Sequence, residues 1–114
     1  MKVRIEDYVK FDESRMAKIA LATTSRCQLD LYCVAPGQSQ RPHTHADQDK
    51  IYCVLEGSGR FSLRGKEERL GKGEALVAEA GAEHGLFNDG NEPMLILVVV
   101  TPPPPHHGPE AKKT

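Results

Sequence analysis

Tryptophan is missing from this 114-residue chain, and tyrosine and phenylalanine number three each. So few rings rule against a stacking platform for bases. Neither sign of charge dominates: 15 Lys and Arg stand against 16 Asp and Glu, a formal net charge of −1. The long-range pull toward nucleic acid or an anionic membrane is therefore lacking, and neither is expected as a partner. No apolar run approaches the roughly 20 residues that span a bilayer. The opening stretch MKVRIEDYVKFDESR has no signal-peptide core. Cysteine is scarce as well. Cys27, Cys33 and Cys53 are odd in number and show no CxxC spacing, unlike a disulfide framework or a thiolate zinc site. They read as small buried hydrophobes in a reducing compartment, and a cytoplasmic location is expected.

What is present is a succession of short strands in one domain. Residues 1–16 are polar and weakly patterned, with a helical turn expected in FDESRM, capped by Asp12 or Ser14. From Lys18 the segments KIALAT, CQLDLYCV, RPHTH, KIYCVLE, RFSL, EERL, EALVAE and MLILVVV read as strands. They are separated by Pro36-Gly37, Gly57-Ser58-Gly59, Arg64-Gly65-Lys66, Gly71-Lys72-Gly73 and Asn88-Asp89-Gly90-Asn91. Turn signals at such spacing predict an all-β sandwich or barrel. MLILVVV is apolar on both faces. One face fills the interior, and a homodimer is the expected cover for the other. The Pro- and His-rich stretch 102–114 cannot continue a sheet and is expected to be a flexible tail or a surface arm; His106 and His107 there read as tail residues.

Chemistry concentrates around His43 and His45. Two residues apart on a strand, they point to the same face, close enough to share one ion, and Pro42 stiffens the approach. Neutral imidazole suits iron, manganese, nickel, zinc or copper. Alone, an HxH pair is a weak signal.

The surrounding spacing strengthens it. GQSQRPHTHADQDKIYCVLEG, residues 37–57, and GEALVAEAGAEHGLFN, residues 73–88, resemble the two motifs of the cupin family, G(X)5HXH(X)3,4E(X)6G and G(X)5PXG(X)2H(X)3N. The resemblance covers residues 17–101 and implies a double-stranded β-helix, or jelly-roll, barrel. It implies His84 as the third ligand of one divalent transition metal, beside His43 and His45, and a small-molecule ligand in the barrel mouth. It also implies that Asn88 ties down its turn.

Two positions depart from the pattern. Glu79 replaces the second motif's proline and reads as a solvated turn residue. More consequential is Lys50, where the first motif has the Glu that usually completes the metal shell. An ammonium cannot ligate. Lys50 either turns aside to pair with an acid such as Glu83, or holds an anionic group beside the metal, or leaves the fourth position to Gln48 or Asp49. Gln48 shares its strand parity, whereas Asp49 needs a register slip. Tyr52 has the same parity as Lys50; it is read either as a donor to a metal-bound ligand or as a core aromatic with a satisfied hydroxyl. Phe87 is expected to pack near His84. Cupins without the Glu include iron dioxygenases acting on thiols and diketones. The resemblance thus implies a metal-dependent enzyme, an oxygenase on a small anionic or diketone-like substrate or an isomerase, with Lys50 and Tyr52 as candidate catalytic residues, or else a non-catalytic ligand-binding or sensor module.

Overall fold

The computed structural model describes residues 1–105; the expectations for His106, His107 and the rest of the tail lie outside them. Nine strands follow a short 3₁₀ turn at Ile5–Tyr8: β1 (Ala17–Thr23), β2 (Gln28–Val34), β3 (Ser39–His43), β4 (Asp49–Glu56), β5 (Ser58–Leu63), β6 (Lys66–Gly71), β7 (Ala75–Ala78), β8 (His84–Phe87) and β9 (Met94–Thr101). They form a five-stranded sheet, β1-β2-β9-β4-β7, and a four-stranded sheet, β3-β8-β5-β6, with every pairing antiparallel. The inner faces of both sheets supply one core. Tyr32, Tyr52, Val54, Ile96 and Val98 of the larger sheet meet Phe61, Leu70 and Leu86 of the smaller. Period-2 alternation is plainest in β9, where Met94, Ile96, Val98 and Val100 are buried and the residues between them half-buried.

The turns behave as their residues dictate. Leu63 pairs with Lys66 across a two-residue loop, and Arg64 and Gly65 both take positive φ (53° and 81°). That is the type I′ geometry whose twist matches the flanking strands. Asn88 is fully buried, and its amide donates to the carbonyls of Val34 and Glu92, both at 2.9 Å. It ties the turn before β9 to the end of β2.

Three details differ from the sequence reading. The helical turn falls at Ile5–Tyr8 rather than in FDESRM, because Asp12 Oδ1 instead accepts from the backbone N–H and the hydroxyl of Ser14 (2.8 and 2.7 Å), closing a local turn. β3 stops at His43, so RPHTH is a strand only in its first half. HGLF, which lacks any alternating window long enough to mark a strand, forms β8 between β3 and β5.

Gly85 sets how closely β8 can approach β3. A Cβ there would lie 2.8 Å from the Gln40 carbonyl oxygen and 2.8 Å from the Pro42 nitrogen, both backbone atoms that cannot step aside. Gly85→Ala should push the two strands apart, destabilise the fold by about 1–3 kcal/mol, and weaken metal binding because His43 and His84 sit on either side of the contact. Denaturant titration together with metal stoichiometry checks this.

Candidate metal centre

β3 and β8 bring the first two histidines together, since His43 and His84 are paired across the ladder. Their ring centroids are 4.4 Å apart. His45 lies just past the end of β3, yet its ring reaches within 4.7 Å of His43 and 5.7 Å of His84. The backbone holds it there, because the His45 carbonyl accepts from the Gly81 N–H at 2.8 Å. One potential ligand atom from each of the three falls within 4.8 Å of the others.

Backbone carbonyls orient two of the rings. His43 Nδ1 lies 2.8 Å from the Arg41 oxygen, and His84 Nδ1 lies 2.9 Å from the Ala82 oxygen. An Nδ1–H donating to a carbonyl leaves Nε2 with its lone pair directed away from the backbone, the arrangement a metal-binding histidine needs. His84 is only 2% exposed, and its Nε2 is buried without a hydrogen-bond partner among the described residues. An orphaned polar atom of this kind costs about 1–3 kcal/mol; coordination to a cation would remove the cost. The donor set therefore fits a transition metal.

Protonation states agree. Burial is the main cause lowering the pKa of His43, His45 and His84, and Lys50 adds repulsion at each; for His45 burial, with repulsion from Lys50 and the neighbouring cations, brings it to about 4. The unfolded chain takes up these protons near pH 6.5, and the folded chain only at lower pH. Stability of the metal-free protein should therefore fall as pH drops from about 6.5 toward 4. Metal affinity should fall over the same range, since protons compete for the rings. Melting curves and metal retention recorded across that range check both.

A cavity of about 750 Å³ opens beside the trio, lined by His43 and His45, by Gln28, Asp30 and Tyr32 of β2 and by Lys50 of β4. Lys50 points into it and is 5% exposed. It forms no ion pair with Glu83 or with any other acid among the described residues. Its ammonium instead lies over the rings of Tyr32 and Tyr52, 5.2 and 5.5 Å from their centroids, within cation–π range. Burial and the repulsion of Lys18 bring its pKa to about 8, against a partial offset from Asp30. Asp30, also buried, accepts from Gln28 Nε2 at 2.9 and 3.1 Å, and burial raises its carboxyl.

The other candidates separate. Gln48 lines the cavity, but its amide nitrogen donates to the Pro102 carbonyl at 3.1 Å. Asp49 faces away and accepts from the Ala80 N–H at 2.8 Å. Tyr52 donates its hydroxyl to Gln40 Oε1 at 2.8 Å and sets its ring 5.8 Å from His84, so it packs and orients. Phe87 does not pack near His84. Three residues on, it points to the opposite face of β8, under the Arg60 guanidinium at 5.3 Å, and Leu86 takes the inner place beside Phe61. Sequence reasoning passed over Gln28, Asp30, Lys18 and Gln40, all of which line the cavity. The available signal was the polar set Gln28, Asp30 and Tyr32 on one face of a strand whose other face is Leu29, Leu31 and Cys33.

Two antiparallel sheets with three converging histidines at one end of the barrel agree with a comparison against known families, in which residues 30–100 match the family described as Cupin domain. The chain belongs to the cupin family. Among solved structures, TT1209 from Thermus thermophilus superposes on this cupin with a TM-score of 0.84 at 37% identity, over 90% of this chain and 96% of that one. An RmlC-like cupin protein from Desulfovibrio desulfuricans gives 0.79 at 25% identity, over 90% and 97%. In sequence, the tetracenomycin polyketide synthase protein TcmJ of Streptomyces glaucescens is 38% identical over 55% of this chain and 42% of its own length. An oxalate-binding protein of Thermotoga maritima is 32% identical over 52% of this chain and 49% of its own. Both matches span about half of the named relative or less. No helix among the described residues is long and apolar enough to cross a membrane.

Proposed function

We propose that this cupin is a three-histidine, metal-dependent oxygenase acting on a small anionic or diketone-like molecule. Lys50 carries the reading: a buried cation turned into the cavity beside the histidines, at the position where the family's first motif has its acid. With no carboxylate from that position, His43, His45 and His84 would hold the ion with its double charge undiminished. A divalent transition metal there would supply a Lewis acid and, as iron, one-electron chemistry with dioxygen. The chain's own residues do the rest. Lys50 balances negative charge on the ligand, and Tyr32 and Tyr52 hold the ammonium in place. Gln40, which accepts from the Tyr52 hydroxyl, helps hold the Tyr52 ring in that position.

The test is oxygen uptake by iron-loaded protein given acetylacetone and related diketones and small acids. Uptake that disappears in His84→Ala supports the proposal. An inert protein whose melting temperature nonetheless rises with such ligands would be a binding module without turnover. The similarity to a protein named for oxalate binding favours that second reading.

We further propose that two copies associate through the outer face of the five-stranded sheet. Leu97 and Val99 lie there half-buried beside Leu29, Ile51 and Cys53, with Val77 56% exposed at the edge; Leu31 on the same face is already fully buried within the chain. Light scattering should return twice the 12.6 kDa chain mass; a monomer at micromolar concentration would refute it.

A further inference from the structure

The C-terminal proline run is part of the cavity. β9 ends at Thr101, and Pro102, Pro103, Pro104 and Pro105 line the opening beyond it, with Pro103 and Pro104 half-buried. Two bonds hold the run in place. Thr101 Oγ1 donates to the Arg26 carbonyl at 2.8 Å, and Gln48 Nε2 donates to the Pro102 carbonyl at 3.1 Å. Consecutive prolines are stiff and offer no N–H, so the surface they present is largely ring methylene.

Polarity therefore differs along this cavity. At the floor, Val100 pairs with Lys50 on one side and Gln28 on the other, near Asp30. Toward the mouth, Val100 gives way to the prolines along one wall, facing the polar loop residues Arg41, Thr44, Asp47 and Gln48 on the other, so the apolar surface there is the proline wall. The volume, about 750 Å³, is that of a drug-sized ligand site and about twenty-five waters' worth of space. A two-carbon acid would leave most of it to water.

From this gradient and this volume we infer that the ligand is amphipathic, with an oxyanion head at Lys50 and the histidines and an aromatic or acyl body against the prolines at 102–105, which select for it. This rests on the proposal of an anionic ligand and adds the second half of the molecule. It also gives the proline run a task that the oxygenase proposal leaves open.

The experiment compares two probes with the same α-keto acid head, pyruvate and phenylpyruvate, by calorimetry on metal-loaded protein. Phenylpyruvate should bind about ten- to a hundredfold tighter, the factor expected for burying a phenyl ring. A Pro103→Gly/Pro104→Gly variant, and separately Thr101→Val, which removes the bond to the Arg26 carbonyl, should cut that preference to about threefold or less while pyruvate affinity and metal content stay as in wild type. These positions lie outside the hydrophobic core cluster, so the barrel is expected to fold in both variants. Equal affinity for the two probes in wild type overturns the inference and leaves an anion site standing. So does a preference that survives both variants. If neither probe binds, the inference and the anionic-ligand proposal fall together.

Discussion

Loading the chain with a divalent transition metal should raise its melting temperature by roughly 15 °C, and His84→Ala should abolish the rise. An ion present at about a thousandfold over its Kd stabilises the folded state by about 4 kcal/mol. In a domain of this size each kcal/mol moves the midpoint by about 4 °C. His84 is the informative position because its Nε2 is buried and without a partner among the described residues. The metal-free wild type already bears the cost of that atom, so removing the ring offsets part of the loss from the space it leaves. The distinguishing mark of His84→Ala is therefore a missing response to metal rather than a collapsed fold. Scanning calorimetry with and without zinc, alongside elemental analysis, reads both quantities. A metal-induced rise of equal size in wild type and variant would place the ion somewhere other than the trio.

Lys50→Glu should have an effect of similar size and opposite direction on the two ligands. It restores the residue of the family's first motif, adding an anionic oxygen donor to three neutral imidazoles, and metal should bind at least tenfold more tightly. Anion binding should weaken by a comparable factor, because the positive charge in the cavity is replaced by a negative one. Without metal the same change is costly. The new carboxylate would share a buried cavity with Asp30, whose own charge is already opposed by burial, so the metal-free variant should melt below wild type. A chain less stable when empty and more stable when loaded is the expected signature. Metal competition titrations and ligand calorimetry check it; an unchanged anion affinity would show that Lys50 takes no part in holding the ligand.

Much of this was legible in the residues because strand parity carries it. Turn chemistry marked out eight of the nine strands described, and alternation put Tyr52 on the same face as Lys50, where both are buried. The pair His43 and His45 also followed from parity, although His45 lies past the end of β3 and is aimed by its carbonyl's bond to Gly81. His84 came only from resemblance. It opens a strand of four residues containing Gly85, and no periodicity can be read from so short a segment. Whether Lys50 turned toward the cavity or toward Glu83 was undecidable from the chain alone, since both require the same parity and differ in side-chain torsions. The proline run was open in the sequence between a tail and a surface arm, for a physical reason. Prolines cannot pair in a sheet, which is correct, but at the end of a barrel strand the chain need not leave the molecule, and here it turns across the opening.

The position of β3 has a consequence for how an empty site behaves. It is the outermost strand of its sheet, bonded only to β8, and its pairing is interrupted between Gln40 and His43. Yet it carries His43 and leads directly into His45. Two of the three ligands thus hang on an edge hem of the barrel, while the third sits on an interior strand. An ion binding all three would act as a rivet, fastening that hem to the body. With that rivet absent the edge should open more readily, so amide exchange in residues 39–45 is expected to report metal occupancy more directly than exchange in the core.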